Sequence, residues 1–360
     1  MELLINLYEI HSPSGGEKRM KKFIRRWIRR NVPEAVIVND QKGNIYVTKG
    51  ESDTYPCIVS HVDQEQDTHS NDFKVYNCDG MLCAYSKKNK RQEGLGADDK
   101  NGIWVCLKAL ERFDIVKCAF FVEEEVGCGG SGNANYEWFN DCRFVLQCDR
   151  RNGSDLINVA SWTELCSDEF LEATNYQAYG YTPKNGMMTD VMTLKESGVD
   201  VSMLNISCGY YEPHSDNEVT VFEELENCRD FVFNIIENCT DVYPHKHDRQ
   251  VFQPTFIKNN LLGSTYGGWH GDYDDDLRDW YPHSEPQSIG DVIKEEKCNY
   301  DWQQEYDEVY DSVWAMLLED NTRTANDIYN TYRSCLNFLE LQDIEAMVED
   351  IKNELMINEI

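Results

Sequence analysis

Four apolar runs of strand length constrain this chain more than any other feature: YPCIVSHVD (55–63), CAFFVEEE (118–125), CRFVLQCDR (142–150) and SMLNISCG (202–209). Strands so continuously apolar need cover on both faces, which a parallel or mixed sheet flanked by helices provides. GNIYVTKG (43–50) adds a strand between glycines. Helical patterns alternate with these runs. GADDKNGIWVCLKALERF (96–113) opens as a tight glycine turn and then aligns Ile103, Leu107 and Leu110, and ENCRDFVFNIIENCTDVY (226–243) reads as a closing helix. In EKRMKKFIRRWIRRN (17–31), Met20, Phe23, Ile24, Trp27 and Ile28 share one face and the basic residues the other. That pattern suits a helix lying over a sheet, and a membrane-surface or calmodulin-type helix shares it. The alternation predicts an α/β fold with a mixed, largely parallel sheet.

The periodicity changes near residue 244. Residues 1–243 read as one domain and 244–303, rich in aromatics and aspartate, as a linker or wrapping loop. Residues 304–360 read as an acidic helical module, with Val309, Val313 and Leu317 on one face and Ile344, Val348 and Ile351 on another. Residues 301–360 hold 15 acidic and 3 basic residues. The whole chain of 360 residues carries 65 acidic against 34 basic, a net charge of −31, which argues against nucleic acid and anionic membranes as partners. No apolar run approaches membrane-spanning length, and the start lacks the order of a secretory signal. Fourteen cysteines without a C-x-x-C pair read as reduced and buried, so a cytoplasmic setting is expected.

Acidic and imidazole residues stand wherever these strands end. His61 and Asp63 follow CIVS, Asp98 and Asp99 lie in the glycine turn, and Glu123, Glu124 and Glu125 follow CAFF. Asp149 closes FVLQC, and His214 lies past NISCG. Histidine and carboxylate without cysteine form a ligand set suited to zinc, cobalt or manganese and unlike a structural thiolate site.

Together, H-V-D (61–63), G-A-D-D-K-N-G (96–102), E-E-E-V-G (123–127), C-D (148–149) and P-H-x-x-x-E (213–218) resemble the two-metal metallopeptidases of the peptidase T, carboxypeptidase G2 and co-catalytic aminopeptidase group, over about residues 1–240. The resemblance implies a phosphorylase/hydrolase-like core and two divalent metal ions. It implies that His61 and Asp149 hold one ion, Glu125 and His214 the other, and that Asp98 bridges them. Asp63 would orient His61, and Glu124 would act as general base toward the attacking water. If the segment stays extended, alternation turns Glu124 and Glu125 different ways, and Glu123 is a bystander or a minor structural carboxylate. Gly127, Gly129 and Gly130 would let the chain turn tightly beneath the site. Lys100 reads either as solvent-facing or as a salt-bridge partner offsetting the acidic cluster. Asp190, in GMMTDVMTL, shapes the substrate side by the same resemblance, or with Thr189 caps a helix.

Family members carry an accessory domain either between the residues matching His61 and Asp98 or between those matching Asp149 and His214. Here those intervals hold 36 and 64 residues, so a catalytic core without either domain is expected. It is expected as a monomer, or as a dimer formed through 244–360. The implied activity is exopeptidase, with aminopeptidase action on small peptides ranked first. Carboxypeptidase or N-deacylase action by the same chemistry comes next, and then a non-catalytic acidic binding protein. Arg150 and Arg151, beside Asp149, are the candidate clamp for a terminal carboxylate. His245 and His247 could pair on a metal or form a polar turn, and WHGDYDDD (269–276) lacks the ligand order of a calcium loop.

Overall fold

The computed structural model describes residues 1–247, 313, 317, 323–332 and 341–357. The chain divides into two compact units, residues 1–249 and 250–360. The first opens with helices α1 (Glu2–Tyr8) and α2 (Lys18–Asn31). Strands β1 (Val36–Asn39), β2 (Ile45–Lys49), β3 (Tyr55–His61), β4 (Phe73–Cys78), β5 (Met81–Ser86) and β6 (Arg91–Glu93) lead to helix α3 (Ala97–Arg112). Next come β7 (Val116–Phe121), β8 (Cys142–Arg150), β9 (Asp155–Ala160) and β10 (Thr163–Glu164), then α4 (Asp168–Ala173), β11 (Thr182–Gly186) and α5 (Asp190–Glu196). The unit closes with β12 (Met203–Ser207), β13 (Tyr210–Tyr211), β14 (Val219–Val221) and α6 (Phe222–Asn238).

The main sheet has nine strands, ordered β1-β2-β7-β3-β8-β12-β9-β10 with β11 beside β9. Its centre, β7-β3-β8-β12, is parallel, and β1, β2 and β10 are antiparallel to their neighbours. Every residue of β3, β7 and β12 is buried, as their unbroken apolar character requires. From β3 the chain crosses through α3 to β7 on one side, then returns to place β8 on the other. The order therefore reverses around β3, and the carboxyl ends of β3, β7 and β8 lie side by side at the kind of switch point where open α/β sheets bind ligands. Helix α3 is buried nearly all round, with Ile103, Leu107 and Leu110 fully inside. On α2 the expected face is inside, Met20, Ile24 and Ile28 completely, which makes it a core helix. Lys21 and Arg25 are buried too.

A second sheet, which the sequence pattern does not reveal, has five strands ordered β13-β14-β5-β4 with β6 on β5. Residues 62–97 supply three of those strands, joined in part by a two-residue hairpin at Asp79 (φ 53°) and Gly80 (φ 91°). Both are in the left-handed region, the geometry an Asp-Gly pair favours.

The closing helix begins four residues and ends five residues earlier than the 226–243 expected. It starts at Phe222 directly from β14 with Glu223 and Glu224 in its first turn, and stops at Asn238. Tyr243 is instead drawn to the sheet, where its N–H donates to the Arg143 carbonyl (3.0 Å) and its carbonyl accepts from Ser202 (2.7 Å). Pairing continues through Pro244, which bridges Val201, and His245, whose N–H donates to the Asp200 carbonyl. From residue 248 the expected linker, including WHGDYDDD, lies outside the described residues, as does Val309. In the second unit Val313, Leu317, Ile344, Val348 and Ile351 are buried, and helices span Ala325–Tyr332 and Leu341–Ile357. No helix among the described residues is long and apolar enough to cross a membrane.

Candidate metal centre

His61 is the last residue of β3 and fully buried; Asp63 lies two residues on, and its carboxylate is equally inaccessible. Asp98 falls in the opening turn of α3, where φ and ψ (−76°, 103°) are not yet helical, and the Asp98–Asp99 peptide is cis. Glu124 and Glu125 follow β7, Asp149 is the penultimate residue of β8, and His214 sits between β13 and β14 with φ 61°. The adjoining strand ends bring them together. His61 Nε2 lies 3.0 Å from Asp98 Oδ1 and 3.8 Å from Asp149 Oδ1. His214 Nε2 lies 3.2 Å from Asp98 Oδ2 and 3.3 Å from Glu125 Oε2. Two groups able to hold a cation result, His61–Asp98–Asp149 and Asp98–Glu125–His214, each with ligand atoms within 4.8 Å of one another. Asp98 is common to both.

The electrostatics describe a site short of positive charge. Burial, reinforced by neighbouring carboxylates, pushes Glu124 and Glu125 well above the usual carboxylate range and Asp149 up to about 7. At Asp98 burial acts in the same direction, but bonds from His214 and His61 outweigh it and hold the group well below its ordinary value. The imidazoles answer in kind: burial opposes their charge, yet bonds to the carboxylates raise His61 well above its ordinary value and His214 to about 9. Glu125 Oε1 is buried with no hydrogen-bond partner. Such an orphan costs free energy unless something satisfies it. Oxygen and imidazole donors, a carboxylate common to two groups and an unpartnered buried oxygen all fit a pair of divalent cations of the zinc class.

Asp63 does more than back His61. Its Oδ1 is 3.4 Å from His61 Nδ1, while its two oxygens accept from the backbone N–H groups of Glu124 (3.0 Å) and Glu125 (3.2 Å) and from Ser14 Oγ (2.7 Å). The glutamate segment is therefore not extended, contrary to the expectation. Glu123 adopts φ 55°, and the N–H groups of Gly127 and Cys128 both return to the Glu124 carbonyl. A turn, rather than strand alternation, sets Glu124 apart from Glu125. Glu123 points elsewhere and pairs with Lys42 at 2.5 Å. At Gly130 a Cβ would meet the Val122 carbonyl at 2.3 Å, which is the close approach expected of that glycine.

Other expectations are corrected. Lys100 is buried and donates to Gln64 Oε1 (2.6 Å) and the Leu95 carbonyl (3.0 Å), so it is neither solvent-facing nor salt-bridged to the cluster; burial lowers it to about 7. Thr189 stands at the N-cap of α5, but its side chain accepts no capping bond; Gln147 Oε1 instead accepts from Val191 N–H (3.1 Å) and from Thr189 Oγ1 (2.7 Å). Arg150 bonds to Asp155 (3.4 Å).

Four residues position the ligands: Tyr210, Gln147 and Asn44 carry no sequence signal, and Glu218 closes the P-H-x-x-x-E motif, where the sequence alone assigns it no role. Tyr210 OH lies within donating distance of Asp98 Oδ2 (3.2 Å) and Asp149 Oδ1 (3.3 Å). Gln147, on the same strand face as Asp149, donates to its Oδ2 (2.9 Å). Glu218 accepts from Gly96 N–H (2.6 Å) and Asp98 N–H (3.2 Å), fixing the turn that presents Asp98. Asn44 closes the glutamate loop at its base: Oδ1 accepts from Val122 N–H (3.1 Å) and Nδ2 donates to the Gly130 carbonyl (3.0 Å). Asn44→Ala strands both buried backbone groups, and unfolding titrations should show a loss of about 1–3 kcal/mol; an unchanged midpoint would show that the loop does not depend on this clamp.

No protein-family model matches the chain, and no curated protein does. Among solved structures it resembles the aminopeptidase PepT from Bacillus cereus, at TM-score 0.53 and 15% identity over 66% of this chain and 96% of that one. It also resembles a tripeptidase from Staphylococcus aureus, at TM-score 0.50 and 14% identity over 66% of this chain and 97% of that one. The likeness is one of fold: an α/β core of the kind found in these peptidases.

Proposed function

We propose that this chain hydrolyses peptide bonds, or closely related amides, with two divalent cations, zinc first and cobalt or manganese as alternatives. His61 and Asp149 would hold one, Glu125 and His214 the other, and Asp98 both. The observation that carries this reading is the meeting of the two ligand groups at Asp98. When bound, the cations would lower the pKa of a water and polarise the scissile carbonyl. The chain's own residues supply the rest. Asp63 steadies His61 through Nδ1 and, through its bonds to two backbone amides, fixes where the glutamate loop stands. Glu124 belongs to neither ligand group. It is the general base, taking a proton from the attacking water and returning it to the leaving amine.

The substrate end follows from charge. A field this acidic draws cations inward and repels anions. Arg150, one of the two candidate clamps for a terminal carboxylate, is engaged with Asp155. A free α-ammonium group complements the site better, so aminopeptidase action on small peptides ranks above carboxypeptidase or deacylase action. Free peptides should be cleaved from the amino end, acetylated ones far more slowly, and carboxyl-amidated ones about as fast as free ones. A panel of the three read by mass spectrometry decides it. Cleavage of blocked amines with dependence on a free carboxylate reverses the ranking, and release of acetate alone favours the deacylase.

A further inference from the structure

We infer that Cys128 is a positioning residue for Glu124, its thiol holding one carboxylate oxygen so that the other is left for the water; this rests on the reading of Glu124 as the base. The turn after β7 doubles back on itself. Gly129 N–H donates to the Glu123 carbonyl and Gly130 N–H to the Val122 carbonyl, both at 2.8 Å, and this lays Cys128 alongside Glu124. Cys128 Sγ stands 3.4 Å from Glu124 Oε1. No described residue donates a hydrogen bond to Oε2.

Two features mark the side chain as the reason for the residue. Cys128 has φ 55°, in the left-handed region where a side chain is strained and glycine is not. Its neighbours Gly127, Gly129 and Gly130 show that glycine suits this turn, and Gly127 itself has φ 104°. A side chain is nonetheless kept at the strained position, and it is 2% exposed and aimed at the carboxylate. Burial also pushes the thiol well above its ordinary pKa, so it stays protonated and able to donate, and is a poor nucleophile.

The test compares Cys128→Gly, Cys128→Ala and Cys128→Ser with the parent, each loaded with metal. Losing the donor should lower kcat about 2–10-fold in the glycine and alanine variants, the range of one modest hydrogen bond, with KM and metal content unchanged. Serine, which keeps a donor, should recover most of that loss. Glycine should at the same time raise the thermal midpoint, because it relieves the backbone, so activity and stability move in opposite directions. A purely structural cysteine would instead lower both. A readout independent of turnover is the infrared S–H stretch of Cys128, identified by its loss in Cys128→Ser; it should shift when Glu124 is changed to Gln. An unmoved band, or serine no better than alanine, overturns the role of Cys128. Wild-type turnover in Glu124→Gln with a shifted band overturns the catalytic reading and leaves the hydrogen bond standing.

Discussion

Glu124→Gln should cut turnover about 10²–10⁴-fold, the usual contribution of a positioned general base, while metal content stays at the parent value. The substitution is nearly isosteric, and it removes a proton acceptor without touching either group of ligand atoms. The backbone bond from residue 124 to Asp63 Oδ1 does not depend on the side chain, so the loop should keep its course. Burial and surrounding carboxylates disfavour the ionised form of Glu124, so a neutral amide should fold at least as well. Steady-state kinetics paired with elemental analysis separates the outcomes. Lost metal with lost activity would mean that Glu124 and Glu125 exchange roles. Retained activity would remove Glu124 from the mechanism.

Asp98→Ala should have the larger effect, abolishing activity and stripping both cations together. Asp98 faces His61 through one oxygen and His214 through the other, at 3.0 and 3.2 Å. Removing it leaves each remaining group with two ligands, one imidazole and one carboxylate, too few to hold a zinc-class ion in competition with water. The turn that carries residue 98 should survive, because Glu218 binds the backbone N–H groups of residues 96 and 98. Circular dichroism on the variant checks that point. A folded variant that keeps one tightly bound ion would show that the groups are independent and that Asp98 serves only one.

The central strands were legible because burial on both faces leaves an unbroken apolar signature, as in Cys57–Val59 and Cys118–Phe121. The second sheet was not, since its strands are half exposed and short. Its clearest mark, the Asp79-Gly80 hairpin, lay unread between the alternating residues of β4 and β5. Most residues of the candidate site could be found because they stand at or just past a strand's end, with Asp98 in the glycine turn that opens α3, and sheet topology converts those positions into proximity. Their supports could not. Asn44 and the glutamate loop are separated by nearly 80 residues and meet only because β2 lies against β7. Tyr210 resembles any buried tyrosine until the fold lays its hydroxyl between Asp98 and Asp149. The extended reading of Glu123–Glu125 failed for the same reason. Asp63 and Asn44, distant in sequence, hold that segment as a turn that local alternation cannot foresee.

Metal stoichiometry tests the central claim most directly. Protein purified without chelator, or stripped and titrated with zinc, should bind two equivalents per chain, and the Asp98→Ala variant should bind none. One equivalent or fewer in the parent chain, with the variant no worse, would contradict a two-cation centre built on Asp98.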